Sequence, residues 1–184
     1  MGPQELRPRL WRWTARHPGW TPEQGGEGGW EPEAGCHALV APDGRALVLV
    51  DPLVPADDED GFWRALDGDV ERHGPPHILL TVFWHARGSR RILGRYEGAR
   101  LCAYAPARES AHELAYRVPE YDAVVVGDSL IRPPGGDVRV WSHEPSVRTE
   151  LRSRLAQPLG LLLLTHGEPV LGGGREALAR ALEA

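Results

Sequence analysis

An α/β layered domain is the fold class this sequence predicts, and three observations carry it. Short apolar runs alternate with helical patterns from residue 47 to the end. Two of those runs, ILLT at 78–81 and LLLLT at 161–165, finish alike. A hairpin signal, Asp43-Gly44, joins the two strands that precede the alternation. With 184 residues, 41% of them hydrophobic and 26% charged, the chain fits a single compact domain over 1–184. Residues 1–35 read as an N-terminal strand with a Trp/Gly/Pro-rich loop packed on that domain.

The elements follow in order. LWRWTAR, from Leu10 to Arg16, alternates as a strand with one tryptophan-bearing face, and HPGWTPEQGGEGGWEPEAG after it is an irregular loop. Cys36 to Pro42 and Ala46 to Asp51 are strands about a two-residue turn at Asp43-Gly44, the second running into VDPLVP. Phe62, Leu66 and Val70 recur on one helical face, and Gly74-Pro75-Pro76 stops that helix. The strand Ile78–Thr81 leads to a helix from about Ser89 to Tyr96 with Ser89 as its N-cap, then to the strand RLCAY. Between Pro106 and Pro119 the pattern allows a helical turn. Asp122 to Gly127 is a strand covered on both faces, with Asp128 at its end. Val138–Trp141 is a short strand. Val147, Leu151 and Leu155 mark a helix capped by Ser146, LGLLLLT ends at Thr165, and REALARALEA closes the chain as a helix. No solenoid repeat is present.

Composition excludes several classes. No apolar run approaches the roughly 20 residues needed to span a bilayer, and MGPQELRPRL has no apolar signal core, so a soluble cytoplasmic protein is expected. A net charge of -5 argues against nonspecific binding to nucleic acid or anionic membranes. All 21 basic residues are arginine, which excludes Schiff-base lysines and a P-loop lysine on this chain. Cys36 and Cys102, in apolar strand-like surroundings, read as buried reduced thiols. The first four tryptophans, Trp11, Trp13, Trp20 and Trp30, fill core, or line a pocket or a homodimer contact. Gly172–Gly174 lacks phosphate-loop spacing, and Ser129 in GDSL lacks the later DxxH of hydrolases that carry that tetrapeptide.

Ligands of layered α/β proteins gather beyond the carboxyl ends of strands, where side chains leave the core and converge. Asp51, His85, Asp128 and His166 occupy such positions, which predicts one shared site. Arg87, Ser89 and Arg90, with the free N–H groups of the helix they open, form a candidate site for a carboxylate or phosphate. A solvated helix face is the alternative for this run.

Four segments, VLVDPLVP, ILLT before its loop and helix, VVVGDSL, and LLLLTHGEPVLGGGREAL, resemble the metallo-β-lactamase superfamily over about residues 36–184. The resemblance implies an αββα sandwich. It makes Asp128 a metal-bridging aspartate, His166 a metal ligand, and Asp51 a support behind the site. The superfamily's HxHxDH motif is missing: Val82, Trp84, Ala86 and Arg87 stand in its place. A further family histidine would be His112, though its surroundings lack the usual GHT turn.

A catalytic zinc generally takes three protein ligands and an open position. Asp128 and His166 make two. The expectation is therefore a degraded site with no metal, with one zinc or iron as the alternative if His85 or His112 is the third ligand. Asp128 and His166 then pair as carboxylate and imidazole, either for base catalysis or as an inherited hydrogen bond. His85 is a ligand, an acid, or part of an aromatic wall with Trp84. The expected function is binding or acting on a small anionic or ester-type molecule, as an ester, thioester or lactone hydrolase if an enzyme. A single-metal or metal-free hydrolase or lyase using Asp128 and His166, and a non-catalytic binding or structural relative, are the alternatives.

Overall fold

A computed structural model describes residues 3–26, 28–103, 113 and 115–184. Its strands are β1 (Gln4–Arg7), β2 (Leu10–Arg16), β3 (Glu33–Val40), β4 (Leu47–Val50), β5 (His77–Leu79), β6 (Arg100–Ala103), β7 (Tyr116–Val118), β8 (Ala123–Arg132), β9 (Arg139–Val140) and β10 (Leu161–Gly167). The helices are α1 (Glu59–His73), α2 (Ser89–Arg95), α3 (Pro145–Arg154) and α4 (Gly174–Glu183). The strands hydrogen-bond in the order β6-β5-β4-β3-β10-β8-β7, with β2 also on β3, β1 on β2 and β9 on β8. β3 is the hinge between two sheets. It pairs with β2 along its length, with β4 through His37 to Val40, and with β10 through Ala34 opposite His166.

Side-chain alternation converts this ladder into layers, because successive strand residues point to opposite faces. Cys36, Ala38, Val40, Leu47, Leu49 and Ile78 share a core with Leu66 of α1 and Ile92 of α2. Their neighbours Leu39, Val48, Val50 and Leu79 face Ala123, Val125, Leu161 and Leu163 of the second sheet. The other face of that sheet, Val124, Val126, Leu162 and Leu164, packs under Val147 and Leu151 of α3 and Leu178 of α4. The result is the αββα order.

Several local expectations change. The hairpin turn is longer than two residues: Ala41 N–H bonds Ala46 O at 2.8 Å, Gly44 N–H bonds Ala41 O at 2.8 Å, and Gly44 takes a left-handed φ of 74°. Ser89 is the first residue of α2, after an N-cap at Gly88, and the N-cap of α3 is Glu144 with Pro145 at N1, so neither Ser89 nor Ser146 caps a helix. Cys36 is buried, but Cys102 is exposed on β6, whose outer edge is open among the described strands. The N-terminal region contributes two strands. The turn expected between Pro106 and Pro119 lies largely outside the described residues, which from 115 on show β7 instead. No helix of the described residues is long and apolar enough to cross a membrane.

β8 and β10 do not stop at Asp128 and Thr165 but continue to Arg132 and Gly167. Their parallel register jumps there: Val126 faces Leu164, yet Ile131 faces His166, so residues 127–130 bulge opposite Thr165. A bulge re-aims side chains, and this one turns Asp128 out of the sheet.

Candidate functional site

The site is assembled from four segments: the end of β4, the turn after β5, the bulge in β8 and the last part of β10. Asp51 follows β4 with φ of 49°, a left-handed conformation that aspartate tolerates better than most side chains. Its carboxylate accepts from Thr81 N at 2.8 Å, from Thr81 Oγ1 at 2.7 Å and from Thr165 Oγ1 at 3.3 Å. A 3-10 turn, Phe83–Gly88, then carries His85 inward to 2% exposure. His85 Nδ1 lies 3.0 Å from Asp51 Oδ2 and 3.1 Å from Thr81 Oγ1. Since the Thr81 hydroxyl donates to Asp51, its oxygen accepts from His85, which places a proton on Nδ1.

The opposite ring nitrogen faces the second sheet. His85 Nε2 is 3.1 Å from Asp128 Oδ1, and His166 Nε2 is 3.0 Å from the same oxygen. Trp84 Nε1 donates to Asp128 Oδ2 at 2.7 Å. Gly127 makes this approach possible, because a Cβ there would meet Thr81 Oγ1 at 2.2 Å. Behind the bulge, Glu113 accepts from Gly127 N and Ser129 N at 2.5 Å each and from Ser129 Oγ at 2.7 Å.

Electrostatics follow from this packing. Burial pushes the His85 imidazole down, but Asp51 and Asp128 outweigh it and raise its pKa to about 9. Burial acts upward on Asp128, and the bonds from His166 and His85 overcome it, holding the carboxyl far below the usual range. Glu113 is raised to about 7 by burial, against the opposing Ser129 bond.

Around His166 the wall is aromatic. Trp30 and Trp141 stand edge-on to it at 4.9 and 5.1 Å, and His17 stands edge-on to Trp30 at 4.9 Å. Burial and the Arg87 charge lower the His17 pKa to about 4, so it is neutral at pH 7. Trp141 and His17 had no signal in the sequence that ties them to a site; Trp30 was offered only as core, pocket or dimer contact, and Thr81 and Thr165 only as the matching ends of ILLT and LLLLT.

The structure brings Asp51, Trp84, His85, Asp128 and His166 together. Arg87 is half-buried, with Nε and Nη2 lacking a hydrogen-bond partner among the described residues. Ser89 is buried with its hydroxyl likewise unpartnered, and Arg90 is exposed. His112 lies outside the described residues.

Can these donors hold the metal that the fold implies? His85, Asp128 and His166 offer ligand atoms that all lie within 4.8 Å of one another. Two imidazoles and a carboxylate suit zinc or iron(II), and a carboxylate behind a ligating imidazole is the usual outer support. The set fits one ion. Among the described residues this is the only such cluster of three or more donors.

No protein-family pattern matches the chain. No curated protein matches it in sequence. Solved structures do match in fold. A metallo-β-lactamase from Erythrobacter litoralis, described as NDM/FIM-1-like and in a mono-zinc form, superposes with TM-score 0.60 at 14% identity, covering 99% of this chain and 94% of that one. A metallo-β-lactamase family protein from Thermus thermophilus gives 0.54 at 13% identity, covering 97% and 80%. The DIM-1 metallo-β-lactamase gives 0.57 at 9% identity, covering 98% and 96%. At such identities the likeness establishes the fold alone.

Proposed function

We propose that this chain, which has the metallo-β-lactamase fold, binds and hydrolyses a small anionic or ester-type molecule at a single-ion centre made by His85, Asp128 and His166. The observation that carries the reading is the convergence of those three donors from separate chain segments, with Asp51 behind His85. Asp51 fixes the imidazole tautomer with its proton on Nδ1 and leaves Nε2 for the centre. Solved on the same scaffold, the Erythrobacter protein has a mono-zinc form, so one ion is a workable state of this fold. A zinc or iron(II) ion bound here would polarise a carbonyl and acidify a water. Arg87 adds a permanent positive charge that reaches His17 beside the aromatic wall, which favours an anionic substrate over a cationic one.

Two measurements test this. Metal content after purification without chelator should come out at one zinc or iron per chain. Wild-type protein should hydrolyse some ester, thioester or lactone, and His166→Ala should lose that turnover. Two ions per chain, or turnover untouched by His166→Ala, overturns the proposal. No ion together with no turnover makes the chain a non-catalytic relative.

A further inference from the structure

Where the resemblance places a metal-binding histidine, this chain has Trp84, and its indole does something a ligand does not. Nε1–H donates to Asp128 Oδ2 at 2.7 Å, while Oδ1 of the same carboxylate faces both imidazoles. The ring stays half in solvent, 51% exposed, stacked edge-on against Phe83 at 4.9 Å, so burial alone does not hold it there.

We infer that Trp84 is a positioning residue: its N–H occupies one oxygen of Asp128 and fixes the carboxylate so that the other oxygen alone serves the centre. The inference rests on the single-ion reading. An indole N–H is donor-only and carries no lone pair for a metal, so the substitution replaces a ligand with a group that orients one. The bond is charge-assisted and short, and such bonds fix geometry as well as adding energy.

The test separates the donor from the ring. Trp84→Phe keeps an aromatic ring and loses the N–H; Trp84→Gln loses the ring and keeps an amide donor. Cobalt(II) affinity, measured by chelator competition, should fall about ten- to a hundred-fold in Trp84→Phe and stay within a few-fold of wild type in Trp84→Gln. Trp84→Phe matching wild type while Trp84→Gln falls would assign the effect to ring packing and overturn the inference. A second readout needs no ion. In the ion-free protein the Trp84 indole N–H resonance should be slow to exchange with solvent and should lose that protection in Asp128→Ala. An indole that exchanges freely in the wild type defeats the inference whatever metal is bound. A protected indole in a protein that binds no cobalt defeats the single-ion reading, and the positioning role with it.

Discussion

Asp51 carries more of the site than its place outside the donor cluster suggests. It is 1% exposed, has a left-handed backbone and joins Thr81, His85 and Thr165. Asp51→Ala leaves the Thr81 N–H and the Thr81 and Thr165 hydroxyls without their acceptor and His85 without a buried counter-charge, and we expect a loss of about 3–5 kcal/mol in urea unfolding of the ion-free protein. Asp51→Asn, which also tolerates positive φ, should lose less. Titration gives a second residue-scale expectation, for the ion-free protein. His85 is raised to about 9 from 6.5, so its contribution is complete below pH 6.5 and is lost as pH rises through 9. Glu113, raised to about 7, acts in the same direction, its contribution complete below about pH 4.5 and lost as pH rises through 7. His37 and His17 are lowered to about 3 and about 4, so the stability of keeping them neutral is complete above pH 6.5 and is lost as pH falls. The urea midpoint should therefore peak near pH 6.5, and His85→Gln should flatten the alkaline limb while His37→Gln flattens the acid one. A midpoint that rises steadily through pH 9 would contradict the arrangement of charges around His85.

At the scale of elements, the meeting of β5 and β8 sets the site. Gly127→Ala would put a methyl against Thr81 Oγ1, where 2.2 Å separates them. That overpacking should cost about 1–3 kcal/mol and also weaken cobalt binding, because Asp128 moves with the bulge. Gly94→Ala, in α2 with no atom within 4 Å of the added methyl, should stabilise by about 0.5–1 kcal/mol and leave cobalt binding unchanged. If both variants weaken cobalt binding equally, the bulge is not what sets the centre. The elements themselves were legible wherever periodicity was strong: Phe62, Leu66 and Val70 placed α1, and the run at 123–126 placed β8. Caps and strand ends were not. Ser89 and Ser146 have the right chemistry for caps, but Gly88 and Glu144 take those positions, because burial of Ser89 and the N1 preference of Pro145 outweigh side-chain capping.

For the whole molecule, the centre draws His85 from the first half of the chain and Asp128 and His166 from the second, so an ion there would cross-link the two halves. Saturating zinc should raise unfolding stability along a one-site curve, by about 2.7 kcal/mol at one hundred times Kd, and His85→Ala, Asp128→Ala and His166→Ala should each remove the effect. Retention of the effect in any one of the three would remove that residue from the centre. The layers came from local causes: apolar alternation, helical spacing and the matching strand ends ILLT and LLLLT are properties of the chain read in order. So was the nomination of Asp51, His85, Asp128 and His166, made from the ends of apolar runs, although β8 and β10 themselves run on to Arg132 and Gly167. What His85 does was decided only in three dimensions. Beside Trp84 it reads as well as an aromatic wall, and nothing local says that a 3-10 turn carries it between Asp51 and Asp128. Trp30 and Trp141 likewise reach His166 from far along the chain. Periodicity records which face a residue turns toward the core; which distant groups share a few ångströms there depends on register, and the jump between β8 and β10 sets it.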